Sequence, residues 1–138
     1  TADRDIVVDG VLQGYILSSY SARRLGLQST GNAGGAHNLL VPGNSGDLDS
    51  IIQEMGTGLL VHELIGQGVN MVTGDYSRGV VGFWVENGAI AYPVHEVSIA
   101  GNLRNLYQQF VAIGSDQDLR GGIRCGSVLV DSMTIAGA

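Results

Sequence analysis

Lysine is absent from this 138-residue chain, whose basic residues total 7 and are all arginine. A nucleotide-binding P-loop needs its lysine, so that class is excluded. Acidic residues number 13 and the net charge is −6. Phosphate backbones are held by basic stripes, so the charge argues against direct nucleic-acid binding. Cysteine occurs once. No intrachain disulfide can form, which favours a reducing compartment. Long apolar runs are also missing. None approaches the ~20 residues of a membrane span, so no membrane association is expected. The opening residues, TADRDIVVDG, lack the basic start and apolar block of a secretory signal.

Glycine, in contrast, is abundant, with 22 residues against 2 prolines. The glycines are dispersed among apolar runs, so they do not form a flexible linker. They mark turns, bulges and close backbone approaches in a folded chain. The length suits a single domain over residues 1–138. Strand-like sequence follows Thr1 almost at once, which reads as one domain of a longer chain.

Residues 5–18 have the pattern of one or two strands. SYSARRLG (19–26) reads as a short helix stopped by Gly26. Residues 28–38, QSTGNAGGAHN, have turn composition. LLVPG is a short strand ended by Pro42 and Gly43. A helix follows, with Asp47 as N-cap, an apolar face of Leu48, Ile51, Ile52 and Met55, and Gly56 as its stop. Residues 58–65 alternate as a strand. Asn87-Gly88 is the dipeptide a type I′ hairpin turn prefers. That turn predicts pairs of Val85 with Ile90, Phe83 with Tyr92 and Val81 with Val94, with Trp84 on the other face opposite Ala91. Pro93 cannot donate to a ladder, which places its strand at an edge or at a bulge. A second helix over roughly 102–111 is predicted, capped by Asn102, with Leu103, Leu106, Tyr107 and Phe110 buried. CGSVLVDSMTIAG returns to strand. The expected class is α+β: β-rich, a mostly antiparallel sheet or partial barrel with two or three short helices.

His62-Glu63 imitates the start of a zinc-protease helix. In H-E-x-x-H the two histidines lie one turn apart and reach one metal. Here Gly66 occupies the fourth position after His62 and Gln67 the fifth. An amide is a poor zinc ligand, and the alternation around His62 is that of a strand. His37, His62, His95 and Cys125 share no ligand spacing. GTGLLV (56–61) lacks the third glycine of a dinucleotide fingerprint and lies in the wrong element order. Asp75, Asp116 and Asp118 fall in turn-like stretches and read as caps or solvated charges. Arg23-Arg24 reads as a solvated helix surface.

Three blocks carry a resemblance: GVLQGYILSSYSARRLGLQSTGNAGGAHNLLV, ELIGQGVNMVTGDYSRGVVGFWVENGAIAYPVHEVSIAGNL and CGSVLVDSMTIAG. In order, and over nearly the whole chain, they resemble the C-terminal domain of the TldD/PmbA (TldD/TldE) metallopeptidase family, on its PmbA/TldE branch. The resemblance implies two further regions upstream, and a cytoplasmic role in peptide maturation and degradation. It also carries the older description "modulator of DNA gyrase". In the catalytic TldD branch, an H-E-x-x-x-H segment upstream of this domain holds zinc, and a cysteine of the C-terminal domain completes the site. TldE-like members lack the histidine motif.

The resemblance therefore implies no cofactor in this domain, zinc in a TldD-like catalytic paralogue, and a homo- or heterodimer acting on small or unfolded peptides. Cys125, in RCGSVL, stands near the place of the zinc cysteine, but the glycine-rich insertion expected after it is missing. No catalytic or metal residue is assigned here. Cys125 with His62 is the alternative metal pair, in an active peptidase that also uses upstream residues. A further alternative is an assembly or binding module linked to gyrase modulation. Main-chain pairing to a sheet edge would hold a peptide with little sequence demand. The candidate peptide- or partner-binding residues are Asn32, Asn38, Gln67 and Asn70; the competing reading is that they stabilise their own turns.

Overall fold

The computed structural model describes residues 2–137. The elements are, in order, β1 (Val7–Val8), β2 (Val11–Leu12), α1 (Ser19–Leu25), β3 (Leu39–Leu40), α2 (Leu48–Met55), β4 (Gly58–Ile65), β5 (Asp75–Glu86), β6 (Ala89–Asn102), α3 (Leu103–Gln108), β7 (Phe110–Ile113), β8 (Ile123–Arg124), β9 (Val128–Val130) and β10 (Thr134–Gly137). The fold is α+β and β-rich, as the sequence indicated, and its largest sheet is open.

By internal contact the chain forms two units. The first runs up to Leu40 and includes Leu119–Arg124; the second holds Val41–Asp118 and the segment from Cys125 onward. In the first unit, β1 and β2 form an antiparallel pair, and β3 pairs in parallel with β8. Helix α1 starts at a reciprocal Ser18–Ser21 capping box and ends at Gly26 in the left-handed region (φ 66°), a conformation glycine adopts without steric cost. The Thr30 hydroxyl accepts from the Leu17 amide at 2.7 Å, and Leu17 is buried.

The second unit carries the four-stranded sheet, in the order β10-β6-β5-β4. Its turn is the expected one, with Asn87 at φ 51° and Gly88 at φ 72°. The register departs from the expectation. Val85 faces Ile90, but Trp84 faces Tyr92, Phe83 faces Pro93, Gly82 faces Val94 and Val80 faces Val97. The simple count from the turn fails because β6 carries extra residues at two bulges. One inserts Ala91. At the other, residues 95 and 96 oppose Val81 alone, and Glu96 turns to φ 58°. Bulges add a residue and tighten the twist. Pro93 lies in the half of β6 that has only β5 as a partner, because β10 pairs with residues 97–100.

Helix α2 is capped by Asp47, whose carboxylate accepts from the Ser50 amide and hydroxyl at 3.0 and 2.9 Å. Its Ile51 packs with Ala112 of β7, Leu129 of β9 and the partly buried Met55. Val80 and Val85 are the largest fully buried side chains. The second predicted helix is shorter than the pattern suggested and buries none of its stripe. α3 ends at Gln108, Tyr107 remains 63% exposed, and Phe110 belongs to β7. Phe110 pairs with Val130, so a strand ladder claims a residue that the helical period had assigned to a buried face.

Candidate functional site: a free sheet edge and an adjoining groove

Strand β4 pairs only with β5, so its other edge has no strand partner among the described residues. This strand holds His62. Val61 faces Gly82 and Glu63 faces Val81, which leaves His62 as the extra residue of a bulge. Its ring meets Phe83 edge-on, with centroids 6.3 Å apart. Glycine is required opposite, because a Cβ at Gly82 would collide with the Leu60 carbonyl oxygen and crowd the His62 amide.

An open groove of about 680 Å³ adjoins this strand. It is lined by Leu59 and Leu60 of β4, Trp84 of β5, Ile99 of β6 and Ile135 of β10, together with Ile51, Ile52 and Met55 of α2, Val111 of β7 and Val128–Val130 of β9. Glu54 and Asp131 are the charged residues of the lining, and both are exposed. The sequence gives little sign of the groove, since its residues come from seven separate elements. The one clue is the sole tryptophan, in a strand that alternates away from the Asn87-Gly88 turn.

The four candidate binding residues divide by how their side chains are engaged. The Asn32 side chain accepts from the Thr30 hydroxyl at 2.8 Å and donates to the Gly35 carbonyl at 3.3 Å. The Asn70 side-chain oxygen accepts from the amides of Val72 and Thr73 at 2.9 and 3.1 Å. Both amides are thus held within their own turns. Asn38 and Gln67 are exposed. Asn32 and Asn38 belong to the first unit, Gln67 and Asn70 to the second.

Cys125 is a free, half-buried thiol in the second unit. Its carbonyl accepts from the Asp118 amide at 3.2 Å. Among the described residues, no three His, Cys, Asp or Glu side chains come close enough together to hold a metal ion. Zinc sites take three or four such donors, so these residues alone do not fit zinc.

The perturbed carboxyls have structural partners. Asp47 is held below its ordinary value by the Ser50 amide and then the Ser50 hydroxyl. Asp75 is lowered by the Thr73 hydroxyl and then by Asn102. At Asp116 desolvation pushes the carboxyl up, but bonds from the Ser127 hydroxyl and amide outweigh it and the net shift is downward. The Ser127 hydroxyl lies 2.6 Å from Asp116. These groups tie loops to neighbouring elements.

Among the described residues, no helix is long and apolar enough to cross a membrane. The family profile of the PmbA/TldA metallopeptidase C-terminal domain matches residues 1–137. The chain is 56% identical to the Escherichia coli O157:H7 "Metalloprotease PmbA" over 99% of its own length and 30% of the relative's. It is 54% identical to the Haemophilus influenzae "Metalloprotease PmbA homolog" over 99% and 31%. It thus spans about a third of the length of these relatives. Among solved structures it resembles a Thermotoga maritima protein described as a modulator of a DNA gyrase, with TM-score 0.89, 31% identity, and coverage of 99% of this chain and 33% of that one. TldE from Thermococcus kodakarensis shares the fold, with TM-score 0.79, 24% identity, and coverage of 96% and 33%. A profile match across almost every residue, joined to relatives above half identity, leads to one conclusion: the chain belongs to the PmbA/TldA metallopeptidase family and corresponds to its C-terminal domain.

Proposed function

We propose that this chain is the C-terminal domain of the PmbA/TldE subunit in a TldD/TldE-type zinc metallopeptidase complex, where it serves as non-catalytic partner, assembly and peptide-channel domain. The free edge of β4 carries this reading. An unpaired strand presents a row of amides and carbonyls, and an extended peptide or a partner strand can complete it with main-chain hydrogen bonds. Such binding suits a complex that handles peptides of varied sequence. Exposed Ile65, Val69, Met71 and Val72 lie at the far end of β4 and in the following loop, and exposed apolar side chains of this kind favour an interface with another chain.

The scatter of His62, Cys125 and the other donors supports assigning zinc to a TldD-like catalytic paralogue. No catalytic step is routed through this domain. Peptide maturation and degradation are the processes implied, in the cytoplasm.

Reconstitution with the catalytic paralogue tests the proposal. Peptide cleavage is expected only when both polypeptides are present, with zinc retained by the paralogue. Cys125→Ser is expected to leave zinc content and cleavage unchanged. Full cleavage by the paralogue alone, or loss of zinc on Cys125→Ser, overturns the reading. Gln67→Ala with Asn70→Ala examines the loop after β4. Unchanged cleavage and unchanged partner binding would remove both residues from the binding surface.

A further inference from the structure

The groove beside β4 has a chemistry of its own. At about 680 Å³ it falls within the roughly 300–1,000 Å³ range of ligand pockets. Aliphatic side chains and Trp84 line most of it, and the charges on its lining, Glu54 and Asp131, are both acidic. Neither carboxylate has an ion-pair partner among the described residues. Residues Gly58 to Val61 line the groove and also belong to the strand whose outer edge is unpaired among the described residues. A chain pairing with that edge would direct alternate side chains to either face of the sheet.

We propose that this groove holds an extended peptide with apolar side chains and a basic residue. The apolar side chains pack on the apolar lining, and the basic residue is drawn to the acidic Glu54 and Asp131. The inference deepens the reading above by naming the class of peptide, and it rests on that reading for the bound peptide being a substrate. Binding energy gathered in such a groove acts away from the scissile bond, so it is expected to appear mainly in KM.

Trp84 is the sole tryptophan of the chain, so its emission reports on the groove directly. The experiment uses the intact protein, with a Trp84→Phe variant subtracted to isolate that signal. The probe is a blocked pentapeptide of four leucines around a central arginine, and its twin carries glutamate in place of the arginine. A saturable change in Trp84 emission is expected, with the arginine peptide binding about tenfold more tightly, because the two carboxylates of the lining attract one peptide and repel the other. Joint Glu54→Gln and Asp131→Asn substitution brings the two peptides to within about twofold. Val111 is 47% exposed and lines the groove. Val111→Arg therefore tests occupancy without emptying the core, and is expected to weaken the arginine peptide at least tenfold while leaving the circular dichroism unchanged.

In the reconstituted complex, Val111→Arg is expected to raise KM for the arginine peptide several-fold at unchanged kcat. Absence of a saturable signal, equal affinity for the two peptides, or indifference to Val111→Arg overturns the groove assignment. Binding that behaves as expected beside an unchanged KM overturns its role in substrate binding. A complex that cleaves no peptide at all counts against the peptidase reading, and the emission titration still reads the groove.

Discussion

The carbonyl oxygen of Leu60 lies against the Cα of Gly82, with no room between them for a methyl group. This contact sits beside the bulge at His62. The bulge lets β4 keep pairing with β5 on both sides of a residue that has no partner. Gly82→Ala would force the strands apart at this point, and overpacking of this kind costs about 1–3 kcal/mol. Chemical denaturation is expected to show a lower midpoint for Gly82→Ala. An unchanged midpoint would mean that the two strands separate freely.

Glu96 is one of the few non-glycine residues in the left-handed region, at φ 58°. A side chain there costs about 1–2 kcal/mol relative to glycine, partly offset by glycine's larger entropy loss on folding. Glu96→Gly is therefore expected to leave stability unchanged or raise it by up to about 1 kcal/mol. Glu96→Val, β-branched at the same φ, is expected to lower it. Thermal melting of the pair checks the order, and a Val variant more stable than the Gly variant contradicts the bulge geometry.

Asp47, Asp75 and Asp116 all have carboxyls held below the ordinary value of 3.8. In the folded protein each binds a proton less readily than in the unfolded chain. Their contribution to stability is complete above the unfolded value and is lost as pH falls through the lowered folded values. Melting temperature is expected to drop steeply below about pH 4, the region of the unfolded aspartate value. Asp116→Asn removes the carboxylate facing Ser127, and is expected to flatten that drop and lower stability at neutral pH by about 1 kcal/mol. An identical pH profile in the variant would show that Asp116 carries none of the dependence.

Asn70 organises the loop that presents Met71 and Val72, which are 84% and 95% exposed. Its side chain receives the Val72 and Thr73 amides, and its carbonyl receives the Gly74 amide at 2.7 Å. Asn70→Ala leaves those first two amides to solvent. Hydrogen exchange at Val72 and Thr73 is expected to accelerate at least tenfold, while exchange in Val80 and Val85 stays slow. Equal protection in the variant would show that the turn holds without the side chain.

Local chemistry was legible wherever a single residue type had a strong reason to be at its position. Asp47 caps α2 and Gly26 ends α1 because each answers the unsatisfied groups of one helix terminus. Asn87-Gly88 makes its turn because both positions need positive φ. The register of β5 and β6 was not legible beyond the turn. Bulges at Ala91 and Glu96 depend on what packs above and below the strands, and alternation cannot report that. The stripe at Leu103, Leu106, Tyr107 and Phe110 misled for a related reason, since a helical period does not reveal that β9 draws Phe110 into a ladder.

The sequence by itself determined the family, the helix caps and the hairpin turn. Each of these depends on residues close together in the chain or on an ordered pattern along it. Only the tertiary structure decided that β4 is an edge strand, that His62 occupies a bulge, and that Trp84 shares a groove with Glu54 and Asp131. These are relations between segments distant in sequence. They are set by which strands pair and which faces pack, and short-range propensity carries no information about either.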